Sequence, residues 1–340
     1  MAFVSPDAMY GPPVTFLGVP GADLAEAASL AGAGAGAVVI GAPFDGGTSH
    51  RAGCRFGPSA IRSADYLPHD GVRPHLALGV DPLMELGVVD VGDVLMPPGD
   101  IEGSLERLRQ VVEQVARSGA LPVVLGGDHT IALPDASAVA AHVGWGRLSV
   151  VHFDAHADTG DTQHGSLYGH GTPMRRLIES GAVRGDRFLQ IGLRGYWPGP
   201  ETLRWMAEQG MRSYEMTEVV SRGLDVCLTE AFAIATDDCD GVFLSVDVDV
   251  VDPGMAPGTG TPEPGGLDAR QLLDAVRRVG MELPVAGVDV VEVSPPYDHA
   301  EVTAYLANRV VLEVLAGVAW RRRGNSDRRR PDDPLLSGRS

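Results

Sequence analysis

The sequence predicts an α/β protein, a single-domain three-layer αβα sandwich built around a mainly parallel sheet. Apolar segments of strand length alternate along the chain with helical segments, and this alternation is typical of a parallel sheet covered by helices on both faces. The composition, with 44% hydrophobic residues and 44 glycines, supplies a large core and many tight turns. No internal repeat divides the 340 residues, and α/β folds of this length often form one domain.

The strands are predicted where short apolar runs precede glycine or acidic residues. They are 37–40, 86–93, 121–125, 148–153, 187–191, 242–248 and 285–290. Helices are predicted between them, the first beginning at Gly57 and Pro58 and the second ending before Gly119. The predicted helices are 57–62, 101–118, 131–142, 172–180, 200–209, 267–279 and 300–320.

Two terminal segments flank the predicted domain, which we place at residues 35–320. Residues 1–34 are rich in Pro, Gly and Ala, and we interpret them as an arm with room for a short helix at 23–30. Residues 321–340 are rich in Arg, Asp and Pro and contain few apolar residues, so we expect this tail to be disordered.

Charge and cysteine content restrict the class of protein. The formal net charge of −18 argues against nucleic acid and anionic membranes as partners, since both bind basic surfaces. Cys54, Cys227 and Cys239 are widely spaced and form neither a disulfide framework nor a zinc-finger pattern. The first residues lack a basic region followed by an apolar core, and no run of about 18 apolar residues appears in the sequence. We therefore expect a soluble protein of the reducing cytoplasm.

The stretch from Val150 to Asp158 places potential metal ligands at the end of a predicted strand. Asp154, His156 and Asp158 occupy alternate positions, so in an extended chain their side chains project to one face. Unpaired charges on a core strand would cost about several kcal/mol, and a divalent metal ion would remove that cost. The alternative is a surface strand end with solvated polar residues.

Two further predicted strands end in the same way. The strand 121–125 leads to His129, and the strand 242–248 carries Asp247 and leads to Asp249. In open parallel α/β sheets, ligands bind outside the carboxyl ends of the strands. Convergence of the three strand ends on one metal site is therefore the favoured interpretation.

These motifs together resemble the signatures of the ureohydrolase (arginase/agmatinase) family, in its agmatinase and guanidino-acid hydrolase branch. In chain order they are Gly126-Gly127-Asp128-His129, Asp154-Ala155-His156-Ala157-Asp158 and Ser245-Val246-Asp247-Val248-Asp249. The stretches 41–45, 55–58, 256–262 and 289–295 are also similar to that branch, and the resemblance covers about residues 36–320. It implies an arginase-like fold.

The resemblance implies a binuclear manganese centre. Its six ligands would be His129, Asp154, His156, Asp158, Asp247 and Asp249. Carboxylates with some imidazole and no thiolate suit manganese, with zinc, cobalt or iron as alternatives. Two dications would lower the pKa of a bridging water towards neutrality, and the resulting hydroxide would attack the guanidinium carbon. We interpret Asp128 as a supporting residue that does not bind metal.

Three residues are expected to act in catalysis. Asp158 resembles the family carboxylate that binds metal and aligns the hydroxide, and Glu292 resembles the glutamate that binds the guanidinium in bidentate fashion. The alternative for Glu292 is a structural ion pair. His170 resembles the histidine of the family's His-Gly motif and would protonate the leaving amine, whereas His164 is interpreted as an exposed loop residue.

Substrate specificity is assigned to the loops around the metal centre. Thr259 belongs to a stretch expected to close over the guanidino group, and Arg194 or Arg51 is a candidate partner for a substrate carboxylate. A structural ion pair is the alternative for either arginine. Asp161 is a third candidate for the far end of the substrate, and Tyr196 and Trp197 either line its rim or pack a loop.

The expected activity is hydrolysis of agmatine or a related linear guanidino compound, such as a guanidino acid, to urea and an amine. Two alternatives stay open, namely a formimino or amide hydrolase on the same metal core and a catalytically silent structural subunit. The resemblance also implies a homo-oligomer, either a trimer or a hexamer.

Overall fold

One sheet forms the middle layer of the structure, a computed structural model that describes residues 4–5, 14–24, 34–66 and 73–324. Nine strands are found within these residues. They are β1 (Val4–Ser5), β2 (Ala37–Gly41), β3 (Val89–Val94), β4 (Leu121–Leu125), β5 (Leu148–Phe153), β6 (Val183–Leu193), β7 (Arg212–Glu215), β8 (Gly241–Asp247) and β9 (Val285–Val291).

The order of the strands across the sheet is β1-β3-β2-β4-β9-β8-β5-β6-β7. The two-residue strand β1 is antiparallel to β3 at one edge, and every other neighbouring pair is parallel. From β2 onwards, strands that are consecutive in the chain are connected by segments that contain a helix, as parallel pairing requires. The predicted fold class, a three-layer sandwich with a mainly parallel sheet, is confirmed.

Helices cover both faces of this sheet. Those in the described ranges are α1 (Gly57–Ser63), α2 (Pro82–Glu85), α3 (Ile101–Arg117), α4 (Ala132–Val143), α5 (Pro173–Glu179), α6 (Pro200–Glu208), α7 (Met216–Arg222), α8 (Leu224–Ala235), α9 (Ala269–Glu282) and α10 (Val302–Arg322). Buried residues of α3, α4 and α5 belong to one hydrophobic core, and those of α8, α9 and α10 belong to another.

The alternation of side chains along the strands separates these two cores. Val39 and Val123 contribute to the core beneath α8, α9 and α10, while their neighbours Val38 and Val124 contribute to the core beneath α3, α4 and α5. Both residues of each pair are fully or almost fully buried. Strands buried on both faces read as continuous apolar runs, which is why they were predictable from the sequence.

Several boundaries differ from the sequence prediction. The sequence prediction contains no element between residues 210 and 241, where the structure has β7, α7 and α8. β7 is a short edge strand in which only Tyr214 is buried, so it lacks an apolar run. The last helix continues to Arg322, two residues into the predicted tail. Most of the predicted helix at 23–30, and residues 325–340, lie outside the described residues.

Helix α10 is long and apolar enough to cross a membrane by length and composition alone, although no such segment was predicted. Most of its apolar window is buried inside the protein. It packs along α9, and its residues Val310, Val311 and Val314 are at most 1% exposed. The apolar character of α10 is therefore that of a core helix.

The strand order brings four functional segments together. β4, β9, β8 and β5 are consecutive in the centre of the sheet, and all four are parallel, so their carboxyl ends lie at one edge. These ends lead into His129, Glu292, Asp249 and Asp154, respectively. The topology thus assembles residues that lie far apart in the sequence.

The close crossing of α9 and α10 gives a test of the packing. A Cβ atom on Gly317 would lie 2.5 Å from the carbonyl oxygen of Arg277 and 2.8 Å from the amide nitrogen of Met281. We expect Gly317→Val to lower the free energy of unfolding by about 1–3 kcal/mol, because the helices must separate.

The matched control for this variant is Ala233→Val, which adds the same branched side chain at an exposed position of α8. It should lower the free energy of unfolding by only about 0.5 kcal/mol through helix propensity. Urea denaturation of both variants measures the difference, and equal losses would show that the crossing tolerates a side chain.

Candidate metal centre and catalytic cleft

The first group of predicted ligands surrounds His129. Its Nδ1 lies 3.1 Å from Asp154 Oδ2, 3.0 Å from Asp158 Oδ2 and 3.4 Å from Asp247 Oδ2. All four side chains are buried, and neither His129 Nδ1 nor Asp154 Oδ2 makes a hydrogen bond. Buried polar atoms without partners are costly unless a cation satisfies them. This group therefore fits a divalent metal ion.

The second group lies on the other side of Asp154. His156 Nδ1 is 3.0 Å from Asp249 Oδ2 and 3.6 Å from Asp154 Oδ1. Asp154 thus presents one carboxylate oxygen to each group. The structure brings all six predicted ligands together as two adjacent groups, an arrangement that suits a pair of ions, and their individual ligand roles stay predictions.

Backbone amides orient three of the carboxylates. Asp154 Oδ1 accepts a hydrogen bond from His156 N–H, Asp247 Oδ1 from Asp249 N–H, and Asp249 Oδ1 from Ala155 N–H, at 2.6, 2.8 and 3.1 Å. In each residue Oδ1 is held by the main chain, so Oδ2 is turned towards an imidazole nitrogen. The two strand ends therefore arrange the ligands before any ion binds.

Two residues that were not predicted orient His129 through Nε2, the ring nitrogen that faces away from the carboxylates. Its Nε2 lies 2.8 Å from the hydroxyl of Ser245, which donates a hydrogen bond of 2.7 Å to Asp289 Oδ1. This chain turns Nδ1 towards the metal site. Ser245 and Asp289 open two of the motifs on which the resemblance rests, so a sequence signal for both was present.

His152 is a further site residue that was not predicted. Its Nε2 lies 2.9 Å from Asp154 Oδ2, and the side chain is fully buried. Ser213 donates to Gln190 Oε1, so the amide nitrogen of Gln190 faces His152 Nδ1 at 3.1 Å. His152 Nε2 has no hydrogen-bond partner, so it faces the same unsatisfied Asp154 oxygen as His129 Nδ1 and belongs to a buried group that could hold a metal ion. The alternation of polar residues that ends at Asp158 already begins at this position.

Burial of these charges shifts their pKa values. Burial, together with Asp249 and Asp154, raises the pKa of Asp247 well above its usual range. Burial lowers the pKa of His129, but the adjacent carboxylates outweigh it and raise that pKa well above the usual range. Without cations the cluster holds protons, and metal binding would displace them.

A second cluster adjoins the metal ligands and contains the two predicted catalytic residues outside the ligand set. His170 Nδ1 lies 2.8 Å from Glu292 Oε1, which also accepts a hydrogen bond of 2.9 Å from His129 N–H. Glu292 Oε2 accepts from the thiol of Cys54 at 3.1 Å. His170 Nε2 lies 2.6 Å from Ser49 Oγ. Ser49 and Cys54 were not predicted as site residues.

The pairing of His170 with Glu292 sets their protonation. Burial lowers the pKa of His170, but the carboxylate of Glu292 outweighs this effect and raises that pKa to about 9. Burial opposes ionisation of Glu292, and His170 with the His129 N–H holds the pKa of Glu292 below its usual range. The pair therefore behaves as an imidazolium next to a carboxylate at neutral pH.

Two of the predicted site residues have left-handed backbone conformations. The φ angles of Asp158 and Glu292 are 50° and 65°. Such values are rare for residues with a Cβ atom and occur mainly where the surrounding structure enforces them. Glu292 directly follows β9, and Asp158 is the last residue of the motif 154–158. At both positions the sharp turn of the backbone points the side chain into the site.

An open cleft of about 330 Å³ gives access to this region. The side chains of His156, Asp158, Asp247 and His170 form its inner wall, while Ser49, Gln163, Trp197 and Thr261 form its outer wall. Glu292 lies behind His170 and is only 1% exposed. A small elongated molecule can thus reach both the metal ligands and His170.

The structure does not bring Arg194 into the cleft. Its guanidinium donates hydrogen bonds to the backbone carbonyls of five residues, which are Gly192, Asp249, Val250, Glu263 and Pro264. These bonds tie the loop after β8 to the end of β6. They support a structural role for Arg194, in bonds to carbonyls instead of an ion pair. Its predicted contact with a substrate stays a prediction.

Two other residues considered in the sequence analysis are buried and do not line the cleft. Thr259 is fully buried, and its hydroxyl has no hydrogen-bond partner. Asp128 accepts hydrogen bonds from Gly47 N–H at 2.8 Å and Thr130 N–H at 3.0 Å. It lies outside both ligand groups, in agreement with the supporting role expected for it. His164 is exposed and does not line the cleft.

Comparison with known proteins gives concordant results. The arginase family matches residues 35–317. Proclavaminate amidinohydrolase of Streptomyces clavuligerus is 41% identical over 82% of this chain and 86% of its own length. Guanidinopropionase of Pseudomonas aeruginosa is 40% identical over 83% and 86%, respectively. The crystal structure of a hypothetical agmatinase from Burkholderia thailandensis superposes with a TM-score of 0.78 at 31% identity, covering 93% of each chain.

The match extends over almost the whole described domain and includes every strand from β2 to β9. Sequence identity of about 40% over more than four-fifths of the chain goes together with the same fold. The resemblance inferred from the motifs is confirmed, and the chain belongs to the arginase family.

Proposed function

We propose that this protein is an amidinohydrolase that uses two divalent metal ions to release urea from a linear guanidino compound. The proposal rests on one observation. Two adjacent groups of predicted metal ligands lie next to the His170–Glu292 pair, and members of all three line or adjoin the same cleft. The chain is a hydrolase of the arginase family, and relatives in that family are named for amidino or guanidino substrates.

Manganese is the metal that we propose. The donor set contains four carboxylates and two imidazoles, and such oxygen-rich sites without thiolate favour manganese over softer ions. Two dications would balance the four carboxylate charges and would supply an activated water for attack on the guanidinium carbon. The unsatisfied atoms His129 Nδ1 and Asp154 Oδ2 support a bound cation at this position, whereas the choice of manganese rests on the chemistry of the donor set.

Glu292 is proposed to receive the guanidinium. Its Oε1 is occupied by His129 N–H and His170 Nδ1, whereas the partner of Oε2 is a thiol, which is a weak donor. Oε2 therefore retains capacity to accept a guanidinium N–H and to hold the positive charge as the carbon becomes tetrahedral. Its left-handed backbone directs the carboxylate towards the metal ligands.

His170 is proposed to supply the proton to the leaving amine. Its raised pKa keeps a proton available at neutral pH, and its position on the cleft wall places the ring near the reacting atoms. Glu292 fixes the ring through Nδ1. Asp158, on the same wall, is proposed to align the attacking water as well as to bind metal.

The far end of the substrate determines which guanidino compound is used. Arg194 donates to backbone carbonyls, and Asp161 lies 3.2 Å from the guanidinium of Arg176 and is largely exposed. Arg51 packs its guanidinium over the ring of Tyr297, with 5.1 Å between the Cζ atom and the ring centroid. Only one residue, His50, separates it from Ser49 on the cleft wall, so Arg51 is our candidate for a carboxylate-bearing substrate.

Urea release across a substrate panel tests the proposal. Manganese-loaded protein should release urea from at least one of agmatine, L-arginine, 4-guanidinobutyrate, 3-guanidinopropionate and 4-guanidinobutyramide. Ammonia without urea from a formimino substrate would favour the formimino hydrolase, and no product from any substrate would favour a silent subunit. If a guanidino acid is preferred, Arg51→Gln should raise KM for that acid and leave KM for agmatine unchanged.

Replacing the two proposed catalytic residues should abolish turnover while the metal stays bound. His170→Ala and Glu292→Gln should each lower kcat about 10²- to 10⁴-fold, which is the usual contribution of general acid–base groups. The control is His164→Asn, which changes an exposed histidine of the same loop to a residue that tolerates its positive φ of 51°. Full activity in His170→Ala or Glu292→Gln would contradict the assigned roles.

Metal content tests the sharing of Asp154 between the two groups. Wild-type protein should bind about two manganese ions per chain, Asp154→Asn should lose both, and Asp249→Asn should retain about one, because only the second group loses a carboxylate. Elemental analysis after dialysis measures this. Asp161→Asn, on the exposed loop, should retain both ions, and two retained ions in Asp154→Asn would rule out the shared position.

A further inference from the structure

One buried face of the sheet carries a row of polar side chains. The register of the neighbouring strands β9, β8, β5, β6 and β7 places one polar residue of each strand beside that of the next. Val151 and Phe153, on either side of one of these residues, belong to the core beneath α8, α9 and α10, so the row faces α3, α4 and α5. We call it the polar row, and in order across the sheet it consists of Asp289, Ser245, His152, Gln190 and Ser213.

The polar row interrupts the apolar interior of the sheet next to the metal ligands. Four of its members are fully buried, and Ser213 is half-buried. Strands buried on both faces normally read as apolar runs, and a buried polar group costs free energy unless a partner satisfies it. His152 and Ser245 precede the predicted ligands Asp154 and Asp247 by two residues each. The position of the polar row therefore points to a role at the metal centre in addition to packing.

Three members of the polar row form a chain of contacts from the edge of the sheet to the first ligand group. On the edge strand β7, Ser213 donates a hydrogen bond of 3.0 Å to Gln190 Oε1. The amide nitrogen of Gln190 lies 3.1 Å from His152 Nδ1, and His152 Nε2 lies 2.9 Å from Asp154 Oδ2. A residue on the outermost strand is thereby connected to a predicted metal ligand in the centre of the sheet.

The orientation of the Gln190 amide is fixed from two sides. Its nitrogen donates to the carbonyl oxygen of Ala157 at 2.8 Å, while its oxygen accepts from Ser213. The imidazole of His152 therefore meets a donor at Nδ1, and this contact turns Nε2 towards the first ligand group. One ligand atom from each of His129, His152 and Asp154 lies within 4.8 Å of the others.

We propose that Gln190 and Ser213 are positioning residues of the metal centre, an inference that rests on the proposed two-metal function. Gln190 holds the imidazole of His152 with Nε2 directed at the first ligand group, and Ser213 holds the amide of Gln190. Replacement of such outer partners typically lowers metal affinity 10- to 100-fold, because the ligand group loses its preset orientation.

Manganese titration of the full-length protein, after its metal has been removed with a chelator, measures this effect without turnover. The electron paramagnetic resonance signal of free Mn²⁺ gives the dissociation constants. We expect Gln190→Met, which keeps a side chain of similar length but removes the amide, to raise the dissociation constant of at least one ion roughly 10- to 100-fold. Ser213→Ala should raise it by a smaller factor, and Ser213→Thr, which retains the hydroxyl, should bind manganese as the wild type does.

The matched control is Gln114→Met, which removes from α3 an amide that donates to the backbone carbonyl of Leu24. It should leave both dissociation constants unchanged. Thermal unfolding of the metal-free variants separates positioning from stability. A lower melting temperature of Gln190→Met with unchanged manganese affinity would show a purely structural role and would contradict the proposal. If Gln190→Met does not fold, the comparison of Ser213→Ala with Ser213→Thr carries the test.

A double-mutant cycle with His152→Leu decides whether Gln190 acts through the imidazole. The variant that carries both changes should lose less manganese affinity than the sum of the two single losses, because Gln190 has no ring to orient when His152 is absent. Additive losses, or wild-type affinity in Ser213→Ala as well as Gln190→Met, would overturn the proposal. Absence of manganese binding by the wild type would instead refute the proposed metal centre.

Discussion

The burial of negative charge at one edge of the sheet is the constraint on which this structure depends. Four carboxylates and two imidazoles from three strand ends lie within a few ångströms of one another and are almost all shielded from water. The penalty for burying such ions is about several kcal/mol each, and mutual repulsion adds to it. Divalent cations would offset that penalty, which is why these residues form a candidate metal site.

Rigid and adjustable parts of the site have different origins. The predicted metal ligands follow directly from β4, β5 and β8, and backbone amides orient three of their carboxylates. Loops form the walls of the cleft. The loop that contains Gly47 is joined to two others by its hydrogen bonds with Asp128 and Gln163. Loop sequence can thus vary the pocket around the same strand ends. The relatives proclavaminate amidinohydrolase and guanidinopropionase are named for different substrates.

Strand ends were predictable from the sequence because their signal is local. Strands 121–125 and 148–153 match the structure residue by residue, and alternating polar residues after them marked the ligands. The sequence could not reveal the contact between Ser49 and His170, which lie 121 residues apart and meet through loop packing. The same limit applies to Arg194, whose bonds to backbone carbonyls depend on a loop conformation that no residue pattern encodes.

The left-handed backbone at Asp158 and Glu292 places function and stability in opposition. Each residue accepts a conformation that costs roughly 1–2 kcal/mol for a side chain with a Cβ atom, and glycine would avoid most of that penalty. Laboratory selection for thermal stability alone would therefore favour glycine at both positions and would remove the carboxylates that the site requires. Two acidic residues in left-handed conformations, in a chain with 44 glycines, match the expectation that backbone strain concentrates where a side chain serves a site.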